Sequence, residues 1–237
     1  MSAALSKTDA SSPEFPALLM AGGRGTDSLK MSDLMAEVLR EISRPQVVYI
    51  GTANDDNWPF FLMLKSQIIK AGASTVKMLK LARAKVDLTA ARKALTAADV
   101  IFISGGEVED GMVWLKRHGL VELLRELYAA GKPFIGVSAG TIMLGRYWVH
   151  WDVEGDDSTA SLFDCLGISP LTYDTHSEGE DWVELKCALR LMGEGAQGFA
   201  LPSGCAVRTT SQGDLVNLDP NHHYQVFQND HGQIREL

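Results

Sequence analysis

The architecture of the chain is decided between residues 99 and 138, where DVIFISGG (99–106) is followed by HGLVELLRELYAAG (118–131) and then KPFIGVS (132–138). The first and third pieces are short apolar runs rich in β-branched and aromatic residues, the pattern of buried strands. The middle piece is a strongly amphipathic helix. A strand, a helix and a second strand in this order form a parallel crossover unit, because parallel neighbours cannot be joined by a tight turn.

The same alternation extends toward the amino terminus. ALLMAGG (17–23), QVVYIG (46–51) and STVKML (74–79) read as strands, and residues 30–42, 58–72 and 86–98 read as the helices between them. Four β-α units feeding a fifth strand predict a parallel sheet with helices on both faces. After residue 145 the periodicity changes. EDWVELKCALRLMG (180–193) is one more helix, and QGFALP, GCAVRTT, DLVNL and HYQVF are short strands punctuated by Gly204, Gly213 and Asp219-Pro220. The expected fold is therefore an α/β three-layer sandwich with an antiparallel C-terminal extension on one edge, a single domain over residues 17–237. Residues 1–16, MSAALSKTDASSPEFP, lack an apolar run of signal-peptide length and read as a flexible leader.

Composition narrows the function. The 237 residues are 46% hydrophobic and 22% charged, with a formal net charge of −8. That balance supports a real core and argues against nucleic acid as a partner, since phosphate binding draws on clustered Lys and Arg. No apolar run is long enough to span a membrane. The three cysteines, Cys165, Cys187 and Cys205, are odd in number and widely spaced, which indicates neither a disulfide framework nor a zinc site. A reducing cytoplasm is the expected location.

GVSAGT (136–141) carries the chemistry. Ser138 follows an apolar strand, precedes a helix and is flanked by Gly136 and Gly140, the G-x-S-x-G elbow in which a serine stands on a cramped strand-to-helix turn. Its hydroxyl is placed above the carboxyl ends of the strands, where open α/β sheets bind ligands. A nucleophilic serine needs a base. Of six histidines, His118 reads as a surface residue or cap and His150 as packed between Trp148 and Trp151. His222, His223 and His231 fall in turns, and His176 lies in a loop rich in acids. An oxyanion hole needs two N–H donors. The Ala139 amide is one, and the glycine pair Gly105-Gly106 at the end of the neighbouring strand supplies the other. GGRG (22–25) lacks phosphate-loop spacing and reads as the loop after the first strand, beside the cleft.

These features together resemble the serine peptidase family of aspartyl dipeptidase (dipeptidase E) and cyanophycinase, whose fold is similar to class I glutamine amidotransferases. The resemblance rests on ISGG (103–106), the helix 118–131, GVSAG, FDCLGISPLTYDTH (163–176) and LPSG (201–204). It implies Ser138 as nucleophile, His176 as general base, and Gly106 with Ala139 as oxyanion donors. It places the triad's acid between the nucleophile's helix and FDCL. Counting back from His176 favours Glu154, and counting forward from Ser138 points to Asp152, with Asp156 behind both. It implies no metal and no cofactor, a small peptide as substrate and a homodimer as the candidate assembly. Two substrate-binding residues are expected. Glu107 stands where the dipeptidase pattern tends to have Asn, and Arg146 is the candidate cation for an Asp-containing dipeptide. The alternatives are an α/β-hydrolase-type esterase drawing its base from His222 or His223, and a catalytically inactive amidotransferase-like binding protein. An amidotransferase proper would need a cysteine at the elbow.

Overall fold

The computed structural model describes residues 17–23, 28–153, 155–210 and 214–237. The expected leader 1–16, the candidate acid Glu154, Arg24 of the GGRG loop and the turn residue Gly213 lie outside the described residues. The five expected parallel strands are present as β1 (Leu18–Met20), β2 (Gln46–Ile50), β3 (Thr75–Leu79), β4 (Val100–Ile103) and β5 (Phe134–Val137). Between and after them run α1 (Ser28–Leu39), α2 (Trp58–Lys70), α3 (Leu88–Ala97), α4 (Val108–Arg117), α5 (Val121–Ala129) and α6 (Ala139–Leu144).

Period-two alternation along the strands sorts the side chains into two apolar layers. Leu18, Met20, Val47, Tyr49, Val100, Phe102, Ile135 and Val137 pack with α1 and α2 on one face. Leu19, Val48, Ile50, Ile101, Ile103 and Phe134 pack with α3 to α6 on the other. Helices therefore cover both faces, as the continuous apolar strands require.

The later strands are β6 (Tyr147–Trp151), β7 (Ala160–Asp164), β8 (Thr172–Thr175), β9 (Gln197–Leu201), β10 (Ala206–Thr209), β11 (Leu215–Asn217), β12 (Gln225–Asp230) and β13 (Gln233–Glu236), with α7 (Val183–Met192) among them. The central sheet has the order β11-β10-β1-β5-β4-β2-β3. Its antiparallel extension is β10 and β11, lying beyond β1. The expected strands β9 and β12 leave that edge and join a second sheet of order β13-β12-β9-β8, because β8 takes β9 as a parallel partner. α7 covers this sheet through Trp182, Leu185 and Leu189 against Ala200 and Phe227. β6 and β7 form a separate hairpin, where Trp148 and Trp151 pack against Val149, Cys187 and Ala188. Among the described residues no helix is long and apolar enough to cross a membrane.

Adjacency within the central sheet makes the site. β5 lies between β1 and β4 and parallel to both, so the segments after these three strands leave the sheet side by side. They are Gly22-Gly23, Ser104-Gly105-Gly106 and Ser138. The crossing of α6 over β4 leaves no room at Gly140, where a Cβ would stand 2.1 Å from the Ile103 carbonyl oxygen. Backbone cannot yield there as a flexible side chain could. Gly140→Ala should therefore lower stability by about 2 kcal/mol or more, read as a lower urea midpoint with an unchanged slope. Gly179→Ala, whose Cβ would enter open space, is the matched control and should leave the midpoint in place. Equal midpoints for the two variants would contradict the close crossing.

Candidate active site

Ser138 adopts φ 55°, ψ −126°, a backbone conformation that costs a non-glycine residue about 1–3 kcal/mol. Three features hold it there. Its N–H donates to the Met20 carbonyl of β1 at 2.9 Å. Thr141, one turn on, accepts from the Met20 N–H at 3.1 Å and donates to the Met20 carbonyl at 2.9 Å. The third is space: a Cβ at Gly105 would lie 2.9 Å from the Ser138 Cβ, and one at Gly136 would lie 2.8 Å from the Gly140 carbonyl oxygen. The half-buried serine is thus pinned between β1, β4 and the start of α6.

His176 reaches the serine from the loop after β8. Its Nε2 lies 2.7 Å from Ser138 Oγ, a hydrogen bond spanning 38 residues of chain. The histidine also has a left-handed backbone, φ 47°, and its N–H donates to the Leu201 carbonyl at 2.8 Å, which fastens the turn to β9. Gly23, at φ 94°, fits between this turn and the LPSG segment, where a Cβ would lie 3.1 Å from the His176 Cβ and 2.5 Å from Ser203 Oγ.

The glycine pair after β4 is oriented by a residue the sequence reading passed over. Asn54 Nδ2 donates to the Gly105 carbonyl at 2.7 Å and to Ser104 Oγ at 2.9 Å, and the Tyr49 hydroxyl donates to the same Ser104 Oγ at 2.7 Å. A planar trans peptide sends its C=O and N–H in opposite directions. With the Gly105 carbonyl turned toward Asn54, the Gly106 N–H is turned away from it. Among the described residues, neither the Gly106 nor the Ala139 N–H has a hydrogen-bond acceptor. Gly106 must be glycine, because its φ is 140° and a Cβ would overlap the Ala53 carbonyl. Glu107, exposed beside it, has already given its own N–H to that carbonyl at 2.6 Å. α6 has only six residues. A helix of that length offers no macrodipole site, which leaves the Gly106 and Ala139 N–H groups as the unpaired donors at the elbow among the described residues.

The other expected site residues lie elsewhere. Asp152 pairs with His150, 3.5 Å from its Nε2, while Glu109 holds the Nδ1 of the same ring at 2.7 Å. Asp156 caps the short turn that follows it. Arg146 sits over the Tyr147 ring, 4.7 Å from its centroid, and lines a cleft with Arg125, Asp164 and Pro170 that includes no part of the elbow. His222 gives its Nδ1 to Asp219 at 2.5 Å, with Lys30 on the same carboxylate. His118, expected at the surface or as a cap, is the C-cap residue of α4 and is buried, with Nε2 2.8 Å from the Leu81 carbonyl.

Glu178 lies two residues beyond His176 in the chain. Its Oε1 accepts from the Ser203 N–H at 3.2 Å. Desolvation raises its carboxyl, but hydrogen bonds from Ser203, its own backbone N–H and the charge of the nearby His176 together hold it below the usual glutamate range. Asp174, on the buried side of the loop, behaves oppositely. Burial, then the charge of Glu184, pushes its carboxyl up to about 8, against bonds from the Thr175 N–H and Ser177 hydroxyl. Its Oδ2 has no hydrogen-bond partner. All three cysteines are free and buried, and burial raises the thiols of Cys165, Cys187 and Cys205 to about 12, 11 and 12. None is a thiolate nucleophile.

A cavity of about 330 Å3 opens beside Ser138, floored by Gly22, Gly23, Gly105 and Gly106 and walled by residues of α1 and α2.

A raised carboxyl gives stability at low pH that is lost as pH climbs from its unfolded to its folded value. For Asp174 that window runs from about 4 to about 8. Asp174→Asn, which cannot ionise, should therefore gain stability relative to the parent as pH rises across it. Urea midpoints of both proteins at several pH values read the effect, and a constant difference across the window would contradict it.

Residues 17–217 match the model of peptidase family S51. A 54-residue stretch, 23% of this chain and 23% of its counterpart, is 39% identical to Peptidase E of Shewanella denitrificans. The pyridoxal 5'-phosphate synthase subunit PdxT of Geobacillus stearothermophilus is 25% identical over 159 residues, 67% of this chain and 76% of that protein. The crystal structure of a peptidase from an acI-B1 Actinobacterium superposes with a TM-score of 0.68 over 96% of this chain and 95% of that one, at 16% identity. At that identity the likeness bears on fold alone.

Proposed function

The chain belongs to peptidase family S51, over residues 17–217, and from that premise we propose that it is a serine-type peptidase cleaving a small peptide or isopeptide bond through an acyl-enzyme. The observation that carries this reading is the 2.7 Å contact between Ser138 Oγ and His176 Nε2 at a strained elbow. In the reaction so read, His176 carries its proton on Nδ1 and takes the Ser138 proton on Nε2 as the oxygen attacks the carbonyl carbon. The tetrahedral oxyanion is received by the Gly106 and Ala139 N–H groups, and His176 then gives its proton to the departing amine. Water, deprotonated by the same imidazole, releases the acid from Ser138. Each step uses groups of this chain alone.

Among the described residues, Glu178 is the acid to which we assign stabilisation of the imidazolium, since its carboxylate is held low and interacts with the His176 charge. Asp152 is occupied with His150. Asn54 acts as a positioning residue through the Gly105 carbonyl. The esterase alternative is disfavoured because the histidine on Ser138 Oγ is His176 and not His222 or His223. A thiol mechanism is disfavoured by the burial of all three cysteines.

A screen of short peptides with the parent and Ser138→Ala tests the assignment directly. The variant should keep the parent's unfolding midpoint and lose hydrolysis by several orders of magnitude, about 10³-fold or more. Retained turnover would reject Ser138 as the nucleophile. Glu178→Gln should lower kcat by about tenfold or more with little change in KM, and Glu178→Asp should recover part of it. An unchanged kcat in Glu178→Gln would return the acid's role to another residue.

A further inference from the structure

The walls of the cavity at Ser138 speak to the substrate. Phe60, Met63, Leu64 and Gln67 are spaced three and four residues apart on α2, so they form one stripe on the helix, and Met31 of α1 faces the same space. Among the described residues the cavity has no charged side chain; besides Ser138, its one polar side chain is the neutral amide of Gln67. A volume of about 330 Å3 is small for a ligand site, where values run from about 300 to 1,000 Å3, and suits one residue flanking a scissile carbonyl. A carboxylate placed there would give up its water with no cation among the described lining residues to replace it. An aliphatic or aromatic side chain would gain by burial, and methionines adapt readily to apolar groups of different shape. Arg146, the one cation that the sequence nominated for an acidic substrate, lines a different cleft.

We infer that the residue contributing the scissile carbonyl carries an uncharged apolar side chain of leucine, methionine or phenylalanine size, seated between Ser138 and the α1–α2 wall. The inference rests on the serine-peptidase reading above and names the substrate class of that site. The family resemblance pointed to Asp-containing dipeptides, and the lining of this cavity points away from them.

The test is kcat/KM for dipeptides with a common second residue and Leu, Met, Phe, Asp, isoAsp or Lys as the first, using the full chain. The Leu, Met and Phe peptides should exceed the Asp, isoAsp and Lys peptides by tenfold or more. Met63→Lys, which adds an ammonium at the half-exposed part of the wall, should reverse the order, raising Asp-peptide turnover and lowering that of the apolar series. Preferred hydrolysis of the Asp or isoAsp peptide by the parent, lost in Ser138→Ala, would overturn the substrate class and leave the peptidase reading intact. Arg24, which follows Gly23 in the chain, would then be the first cation to replace. Hydrolysis of no peptide at all would overturn both.

Discussion

The hydrogen bond from the Ser138 N–H to the Met20 carbonyl ties the end of β5 to the end of β1 at the point where the chain must reverse into α6. That bond, with the Thr141 hydroxyl engaged on both backbone groups of Met20, keeps a serine in a left-handed conformation that it would leave if free. The strain is offset by the two apolar layers around it, since β1, β4 and β5 are almost wholly buried. Glycine at 105, 136 and 140 is the steric counterpart of the same constraint: each gives up its side chain so that a carbonyl or the serine itself can come close. The geometry of the elbow is thus a property of the sheet, set by the adjacency of β1, β5 and β4.

Ser138, with Ala139 at the start of α6, and the Gly105-Gly106 pair follow the ends of β5 and β4, and the glycine pair is braced by the Tyr49–Ser104–Asn54 network. His176 arrives on a loop, exposed, and is fixed by a backbone bond to β9 and by the packing of Gly23 against its turn. Its neighbours on either side carry opposite electrostatic characters. Glu178, at the surface, is held in its charged form, whereas Asp174, buried beneath, is driven toward its neutral form by desolvation and by Glu184. Two carboxyls four residues apart are thus pushed in different directions, Asp174 by burial and Glu178 by its hydrogen bonds and the His176 charge.

Much of this was legible in the sequence where the governing interactions are local. The parallel strands show as apolar runs ending in glycines, and the elbow shows because Gly136, Ser138 and Gly140 answer to contacts within one turn and its neighbouring strand. The helix α4 could have been found, since Val108, Met112 and Leu115 recur at helical spacing and are buried. The division of the C-terminal strands between two sheets was not legible, because β8 finds β9 through a parallel register that joins Thr172 to Gly198. Asn54 was invisible for the same reason: its role depends on a carbonyl 51 residues away. Counting along the chain nominated Glu154, which lies outside the described residues, and Asp152, but counting cannot see that Asp152 is engaged with His150 or that Glu178 is anchored on Ser203.

The central claim is that one hydroxyl, Ser138, is activated at the elbow. Its most direct test is intact-mass measurement and peptide mapping after exposure of the folded chain to a fluorophosphonate. The account predicts a single adduct per chain, located on Ser138 and strongly diminished in His176→Ala. No adduct, or an adduct on another residue with Ser138 left free, would contradict it.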